Sequence, residues 1–199
     1  MVTSPLRVTV VTATALETSA VRRAAPQLRV VESGIAMARV AARELGDVVV
    51  TCGLAGGLRT DIPTGTVVVP QRVTAPDGAT LECDPMLSEA LARAAGEHGM
   101  RVERGMLVTS AQLIRGAQRR LWADRGFVAA DMETGLIPAK RLAAVRVILD
   151  TPQRELSEVW LHPATALVRP DVWPQALWLA RQGPRCARLA AEVLAAALG

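Results

Sequence analysis

The stretch DVVVTCGLAGG at residues 47–57 decides the fold more than any other part of the chain. Its β-forming residues are followed by GLAGG, a pattern that predicts a buried strand ending in a glycine-rich loop. Because glycine lacks a Cβ atom, the backbone of such a loop can approach a ligand closely. Ligands of open α/β sheets bind at the carboxyl ends of strands, where this loop falls. The alternative is a tight turn packed against a helix. The spacing G-x-x-G-G matches neither the P-loop nor the dinucleotide fingerprint.

The length and composition are those of one globular domain. The 199 residues, half of them hydrophobic, predict one domain over residues 1–199 with an ample core. No apolar stretch has the length and purity of a membrane span, and the first residues lack the features of a signal peptide, so we expect a cytoplasmic protein. Cys52, Cys83 and Cys186 are too scattered for a disulfide framework or a zinc site. With only His98 and His162 besides, no metal and no cofactor is predicted.

The net charge of +4 comes almost entirely from arginine, since Lys140 is the only lysine. The arginines are dispersed, and no aromatic residues lie between them. Readers of single-stranded nucleic acid need aromatic stacking platforms as well as charge, so we do not expect nucleic acid as a partner. Attraction to anionic ligands or to an anionic membrane surface stays open.

The hydrophobic pattern alternates between strands and helices along the chain. It predicts an α/β fold with three layers, in which a mixed, mostly parallel, twisted sheet is flanked by helices. Strands are predicted at 6–13, 28–32, 47–52, 66–70, 101–109, 127–130 and 144–149, and helices at 16–24, 35–45, 86–97, 117–123, 134–143, 171–182 and 184–198.

Acidic residues follow three of the predicted strands. Glu17 follows the first, Asp131 and Glu133 follow the strand FVAA, and Asp150 follows AVRVIL. Each has an ordinary explanation: Glu17 in a first helical turn, Asp131 as a helix N-cap, and Asp150 in a turn. Together they place acids from distant parts of the chain along one edge of one sheet, which favours an active site.

Five segments that contain these acids resemble the purine nucleoside phosphorylase-like superfamily, and within it the methylthioadenosine/S-adenosylhomocysteine nucleosidases. They occur in the order of that family and span about residues 6–150. The segments are ATALETSAVRR (13–23), ESGIAMARVAA (32–42), VVVTCGLAGGLRTDIPTGTVVVP (48–70), AADMET (129–134) and AVRVILD (144–150).

The resemblance implies cleavage of an N-ribosidic bond, with Glu17 and Asp150 as the catalytic residues. Glu17 matches the glutamate that activates water, Glu133 the acid that holds the ribose hydroxyls, and Asp150 the acid that protonates the leaving base. This assignment suits the chemistry, because positive charge develops on the sugar and negative charge on the base. The substrate-binding residues implied are Gly53, Leu54, Ala55, Gly56, Leu113, Ile114, Asp131, Met132 and Glu133.

DMET, LDTPQRELSEVW and ALVRPDVWPQALWLARQ resemble a narrower branch, the hopanoid-associated phosphorylases, which are linked to release of adenine from adenosylhopane. The chain departs from its relatives at Leu149, where serine is usual, and at Leu113, where a purine-stacking phenylalanine is usual. The sequence contains no Tyr and only Phe127, so it lacks the aromatics of a snug 5′ subsite. Three tryptophans after Asp150 suit an apolar surface or a membrane interface. We therefore expect a large lipid substituent on the substrate.

Three questions about the function stay open at this point. Phosphorylases often carry a phosphate-binding arginine at the position where this chain has Thr51, and the lack of that arginine favours hydrolysis. In contrast, Arg22, Arg39 and Arg43 favour a phosphate-dependent reaction. The substrate is adenosylhopane or, alternatively, methylthioadenosine or S-adenosylhomocysteine. A catalytically inactive binding protein with the same fold is the third alternative.

The nucleosidases that the chain resembles are dimers, so we expect a homodimer.

Overall fold

The computed structural model of the chain describes residues 8–37, 45–161 and 172–199. Within these ranges ten strands form a mixed sheet, and four α-helices pack around it. The strands are β1 (Val8–Thr12), β2 (Arg29–Glu32), β3 (Val48–Gly57), β4 (Val67–Val68), β5 (Arg72–Thr74), β6 (Thr80–Glu82), β7 (Val102–Glu103), β8 (Met106–Thr109), β9 (Phe127–Asp131) and β10 (Arg141–Asp150). The helices are α1 (Ala15–Ala24), α2 (Pro85–Glu97), α3 (Ala117–Asp124) and α4 (Trp173–Leu198).

Strand β3 is the centre of the sheet. It pairs in parallel with β1 through its first residues and with β10 along nearly its whole length, while β9 joins it antiparallel at Gly56 and Gly57. The strand order is β6-β5-β8-β9-β3-β10-β4-β7, with β1 beside β3 and β2 beside β1. The pairings β10-β4, β3-β9 and β5-β6 are antiparallel and the others are parallel. The predicted α/β fold with a mixed sheet flanked by helices is confirmed.

The predicted glycine-rich loop at 53–57 is wrong, because these residues are the second half of β3. The glycines serve close packing on a strand rather than a turn. A Cβ atom on Gly53 would lie 2.7 Å from Glu17 Cδ and 2.8 Å from Arg146 Nη1, and one on Gly56 would lie 3.0 Å from Asp150 Oδ1. The missing side chains therefore let three charged side chains lie directly against the strand.

One face of β1, β3 and β10 packs against α1, α2 and α4. Branched side chains of the strands meet an alanine-rich face of α4, which lets the helix approach the sheet closely. Strand β10 is apolar and buried almost throughout, as expected for a strand in the middle of a sheet with both faces covered. This core includes Val10, Val50, Val145 and Val147 of the strands with Val21, Leu91, Ala190, Ala191 and Leu194 of the helices.

Several predicted helices differ from the structure. Residues 35–37 form a 3₁₀ turn in which Ala36 and Met37 have positive φ, so no α-helix begins at residue 35, and residues 38–44 lie outside the described part of the chain. The predicted helix at 134–143 is wrong: a 3₁₀ turn at Thr134–Leu136 is followed by Pro138, which cannot continue a helix, and β10 begins at residue 141.

The two predicted closing helices are one continuous helix, α4, which contains Pro184. Proline removes one backbone hydrogen bond, and the part of α4 that follows it is packed into the core through Cys186, Ala190 and Leu194. The predicted strand at 101–109 is two strands, β7 and β8, because they pair with different neighbours. The sequence patterns also missed the hairpin of β5 and β6, whose strands have three residues each and are too short for a periodicity signal.

Cys52, Cys83 and Cys186 are buried free thiols. Among the helices of the described ranges, none combines the length and the apolar character that crossing a bilayer requires.

Candidate active site

A cavity of about 380 Å³ lies where β1, β3, β9 and β10 end. It brings together most of the predicted site residues, which come from segments far apart in the sequence. The predicted residues that line it are Glu17, Leu54, Ala55, Gly56, Leu113, Asp131, Met132, Glu133 and Asp150.

Two predicted site residues lie outside this cavity. Gly53 is one residue further back along β3, beneath the carboxylate of Glu17. The Ile114 side chain is buried among Leu58, Val108 and Phe127, and it lines a smaller adjoining cavity of about 40 Å³.

The carboxylate of Glu17 is fixed by backbone and side-chain donors at the start of α1. Its Oε2 atom accepts hydrogen bonds from Ala13 N at 3.1 Å, Thr14 N at 2.8 Å and Thr14 Oγ1 at 2.8 Å. Its Oε1 atom accepts one from Leu54 N of β3 at 2.8 Å. Thr14 and Glu17 form a capping box, so the ordinary explanation of Glu17 as a first-turn residue is also correct. The helix cap fixes the side chain on the cavity wall.

Arg146 is the cationic centre of the site, and the sequence patterns did not single it out. It lies in the middle of β10 and is 1 % exposed. Its Nη2 atom contacts Asp131 Oδ2 at 2.7 Å, Thr134 Oγ1 at 2.8 Å and Glu133 Oε2 at 3.7 Å. A buried charge needs partners of this kind. The available signal was an arginine inside an otherwise apolar strand.

The carboxylate of Asp131 is occupied by protein groups. It accepts hydrogen bonds from Thr109 Oγ1 at 2.6 Å and from the hydroxyl of Thr134, and it pairs with Arg146. These contacts make Asp131 a support for Arg146 and for the turn that follows β9, and its backbone is the part that borders the cavity.

Glu133 has a carboxylate that faces both the cavity and the Arg146 guanidinium. Its Oε1 atom accepts a hydrogen bond from Ala36 N at 3.3 Å, which is possible because the 3₁₀ turn places Ala36 with φ 53°. The pKa of Glu133 is raised to about 7, mainly by burial. The Arg146 charge opposes this rise, and the nearby charges of Asp131 and Glu17 add to it.

This raised pKa predicts a pH-dependent stability that Glu133→Gln removes. The folded state holds the Glu133 proton up to a higher pH than the unfolded state, so its stabilising contribution is complete below about pH 4.5 and is lost as the pH rises through about 7. We expect the wild-type protein to lose up to roughly 3 kcal/mol more of its free energy of unfolding than Glu133→Gln between pH 5 and pH 8.5. Urea denaturation at several pH values measures this difference, and parallel curves for the two proteins would contradict it.

Asp150 ends β10 and is buried with an arginine. Arg119 of α3 donates from Nη2 to Asp150 Oδ2, and Leu156 N donates to the same oxygen at 3.2 Å. Burial raises the pKa of the Asp150 carboxyl, and the Arg119 charge and hydrogen bond oppose this rise. The net result is a pKa above the usual value of an aspartate.

The remaining wall of the cavity is apolar. Trp160 is held there by a hydrogen bond from its Nε1 atom to Gln175 Oε1 at 2.6 Å. Leu16 and Ile35 line the cavity although they are 40 % and 38 % exposed, so the apolar wall continues to the protein surface. The apolar side chains of this wall are Leu16, Ile35, Leu149, Leu156, Trp160 and Leu179.

Within the described residues, no three histidine, cysteine or acidic side chains are placed to hold a metal ion. The polar groups that line or support the cavity include carboxylates and two buried arginines, Arg119 and Arg146.

Solved structures of nucleosidases have the same fold. A 5′-methylthioadenosine/S-adenosylhomocysteine nucleosidase from Neisseria meningitidis matches with a TM-score of 0.73 and 18 % identity, over 96 % of this chain and 97 % of that one. An S-adenosylhomocysteine nucleosidase from Streptococcus pyogenes matches with a TM-score of 0.74 and 15 % identity, over 100 % and 98 %. A futalosine hydrolase from Helicobacter pylori matches with a TM-score of 0.71 and 12 % identity, over 96 % and 97 %.

The search of curated protein sequences found no match. The sequence profile of one family, described as the phosphorylase superfamily, matches residues 24–139. This match covers more than half of the chain and includes β3 and the turn with Glu133, whereas Glu17 and Asp150 lie outside it. The chain belongs to the phosphorylase superfamily.

Proposed function

We propose that this protein is a nucleosidase that hydrolyses the N-ribosidic bond of a 5′-substituted adenosine and releases adenine. The observation that carries the proposal is the convergence of Glu17, Glu133 and Asp150 on one cavity with an apolar wall. The family and the nucleosidase structures of the same fold support it.

In the proposed reaction, Asp150 and Glu17 act on opposite faces of the sugar. The bond between C1′ and the purine nitrogen N9 breaks, and its electron pair goes to the base, which takes the proton of Asp150 at N7. A water molecule forms the new bond to C1′, and Glu17 accepts the proton that this water loses. Exchange with solvent returns both carboxyl groups to their starting states.

Glu133 and Met132 hold the sugar in this proposal. The Glu133 carboxylate accepts hydrogen bonds from the 2′- and 3′-hydroxyls, and its charge stabilises the positive charge that develops on the ribose. Arg146 opposes the rise in the Glu133 pKa that burial causes, and its Nη2 atom lies 3.7 Å from Glu133 Oε2. Met132 supplies a polarizable apolar surface beneath the ring.

Water as the nucleophile is supported by the contacts around β3. The hydroxyl of Thr51 is buried and bonded to Thr134 Oγ1 at 2.9 Å, so it does not face the cavity. The carboxylate of Glu17 would repel phosphate at the same place. Arg22 is exposed on α1, and Arg39 and Arg43 lie outside the described residues.

For the substrate we propose a large apolar 5′ substituent, with adenosylhopane as the leading candidate. The apolar wall runs from the acids to exposed Leu16 and Ile35, which leaves room for a substituent that extends beyond the cavity. Tryptophan is suited to an apolar surface that is partly exposed to solvent, and Trp160 contributes to the wall. Methylthioadenosine and S-adenosylhomocysteine remain the alternative substrates.

The experiment is a competition between adenosylhopane, methylthioadenosine and S-adenosylhomocysteine, with and without phosphate, in which adenine is quantified by chromatography. Asp150→Asn prepared in the same way is the matched control for contaminating nucleosidase.

We expect the highest kcat/KM for adenosylhopane and an unphosphorylated sugar product in both buffers. A preference for a thioether would overturn the lipid assignment, and strict phosphate dependence would overturn hydrolysis. If no substrate releases adenine, the proposed activity is contradicted and the binding-protein alternative is revived.

We also propose that the protein is a homodimer. The support is the resemblance to nucleosidases that are dimers, in which a partner subunit helps to close the 5′ subsite. Light scattering at micromolar concentration is expected to give twice the mass of the chain, and a monomer at that concentration would contradict the proposal.

A further inference from the structure

We infer that Arg119 is a positioning residue for the leaving-group acid: it holds one oxygen of Asp150 and leaves the other free to protonate the departing base. The inference rests on the proposed function and names a residue that the sequence comparison did not assign.

The guanidinium of Arg119 is fixed at all three nitrogens. It is 3 % exposed, and its Nε atom donates to Ile114 O at 3.0 Å. Its Nη1 atom donates to Gly57 O of β3 at 2.6 Å, and its Nη2 atom donates to Asp150 Oδ2. Because two backbone carbonyls set the plane of the group, Nη2 can reach Asp150 in only one orientation.

The two oxygens of Asp150 have different surroundings. Among the described residues, the hydrogen bonds that other residues donate to Asp150 both end on Oδ2, from Arg119 and from Leu156 N. The Oδ1 atom lies 3.0 Å from the position that a Cβ atom on Gly56 would take. Gly56 and Asp150 both line the cavity, and because Oδ2 is already bonded, the departing base is placed against Oδ1. The acidic proton is therefore held on the side of the substrate.

Arg119 also stabilises the deprotonated carboxylate of Asp150. When Asp150 gives up its proton it becomes a buried anion, which is costly without a partner. Arg119 of α3 is the cation that contacts Asp150, and Gly56 and Gly57 of β3 lie beside it. Glu155 Oε1 lies 3.3 Å from Arg119 Nε. Arg119 thus stabilises the state that proton transfer produces, while Glu155 offsets part of its charge.

The alternative is that Arg119 only fastens α3 to the sheet through Gly57 and Ile114. Loss of the Arg119 charge raises the pKa of Asp150 under either explanation, so the titration tests the contact itself. The alternative predicts lost stability when Arg119 is replaced, and an unchanged kcat for the folded variant at a pH where Asp150 is protonated. The two explanations therefore differ in the kcat of folded protein.

The test replaces Arg119 with Met and uses Arg120→Met, the same change at the exposed neighbour on α3, as the matched control. In Arg119→Met we expect kcat for adenine release to fall at least about tenfold. The alkaline limb of kcat/KM should move up by about one to three pH units, since a contacting arginine lowers a carboxyl pKa by that amount. Arg120→Met is expected to keep the wild-type rate within twofold and the wild-type limb.

A ¹³C NMR titration of the Asp150 carboxyl, assigned with Asp150→Asn, gives a readout that does not need turnover. An unchanged Asp150 titration in Arg119→Met overturns the inference, even if the variant is less stable. Absence of adenine release by the wild-type protein overturns the proposed function alone, because the titration still tests the contact. If Arg119→Met does not fold, Arg119→Lys is the deciding variant, because it keeps the positive charge but loses the planar guanidinium. We then expect kcat to fall while the alkaline limb of kcat/KM keeps its wild-type position. A wild-type kcat in Arg119→Lys would overturn the inference.

Discussion

Replacing Asp150 with Asn is expected to lower kcat for adenine release by about 10²–10⁴-fold, because the leaving base loses its proton donor. Asn keeps the shape of the side chain and fits the same buried site, but its amide cannot transfer a proton to N7. KM is expected to change by less than about tenfold, since the sugar contacts of Glu133 and Met132 stay in place. Steady-state adenine release at several substrate concentrations separates the two parameters.

The Asp150→Asn change also leaves Arg119 without its carboxylate partner, and this has to be separated from the chemistry. Breaking a buried ion pair costs about 3–5 kcal/mol, and Glu155 at 3.3 Å from Arg119 is expected to reduce that cost. The double variant Asp150→Asn/Arg119→Met removes both charges, so it should recover part of the stability and none of the activity. Near-normal turnover in a folded Asp150→Asn protein would remove the central claim about the site.

The general fold and the three acids could be predicted because they depend on local patterns. The apolar run of β10 ends in Asp150, and the β-branched run of β1 leads directly to the helix that carries Glu17. Strands of this kind must be buried in a sheet, and the acids then lie at the ends of strands.

The true role of GLAGG could not be predicted, because it depends on what lies above the strand. A glycine run has the same pattern whether it forms a turn or gives space to neighbours. Here Glu17 and Arg146 occupy the space above Gly53, and both come from distant parts of the chain. Only the assembled sheet reveals that the glycines are part of β3.

The two buried arginines were missed for a related reason. Arg119 and Arg120 are adjacent in the sequence, and nothing in the pattern distinguishes the buried residue from the exposed one. Arg146 interrupts an apolar strand, which is a signal, but its partners Asp131 and Glu133 are known only from the pairing of β3, β9 and β10. Ion pairs between distant segments are a property of the topology and not of the local sequence.

Glu17→Gln is expected to lower kcat by about 10²–10⁴-fold, because an amide cannot accept the proton of the attacking water. Glutamine is accepted in a capping box, so α1 should still form. Both oxygens of Glu17 accept hydrogen bonds, however, and the amide nitrogen would have to face either Leu54 N or the donors of Ala13 and Thr14. We expect this mismatch to cost about 1–3 kcal/mol of stability.

Thr14→Ala is the control that separates the helix cap from the chemistry. It removes the capping hydroxyl, at a cost of about 1 kcal/mol, and leaves the Glu17 carboxylate bound to Ala13 N, Thr14 N and Leu54 N. If Glu17 is the base, Thr14→Ala should lose less than about tenfold in kcat although it is less stable, whereas Glu17→Gln loses far more than its stability explains. If Glu17 only caps α1, the activity of both variants will instead follow their melting temperatures. Because the cap and the base share one carboxylate, only this paired comparison assigns the rate effect to proton transfer.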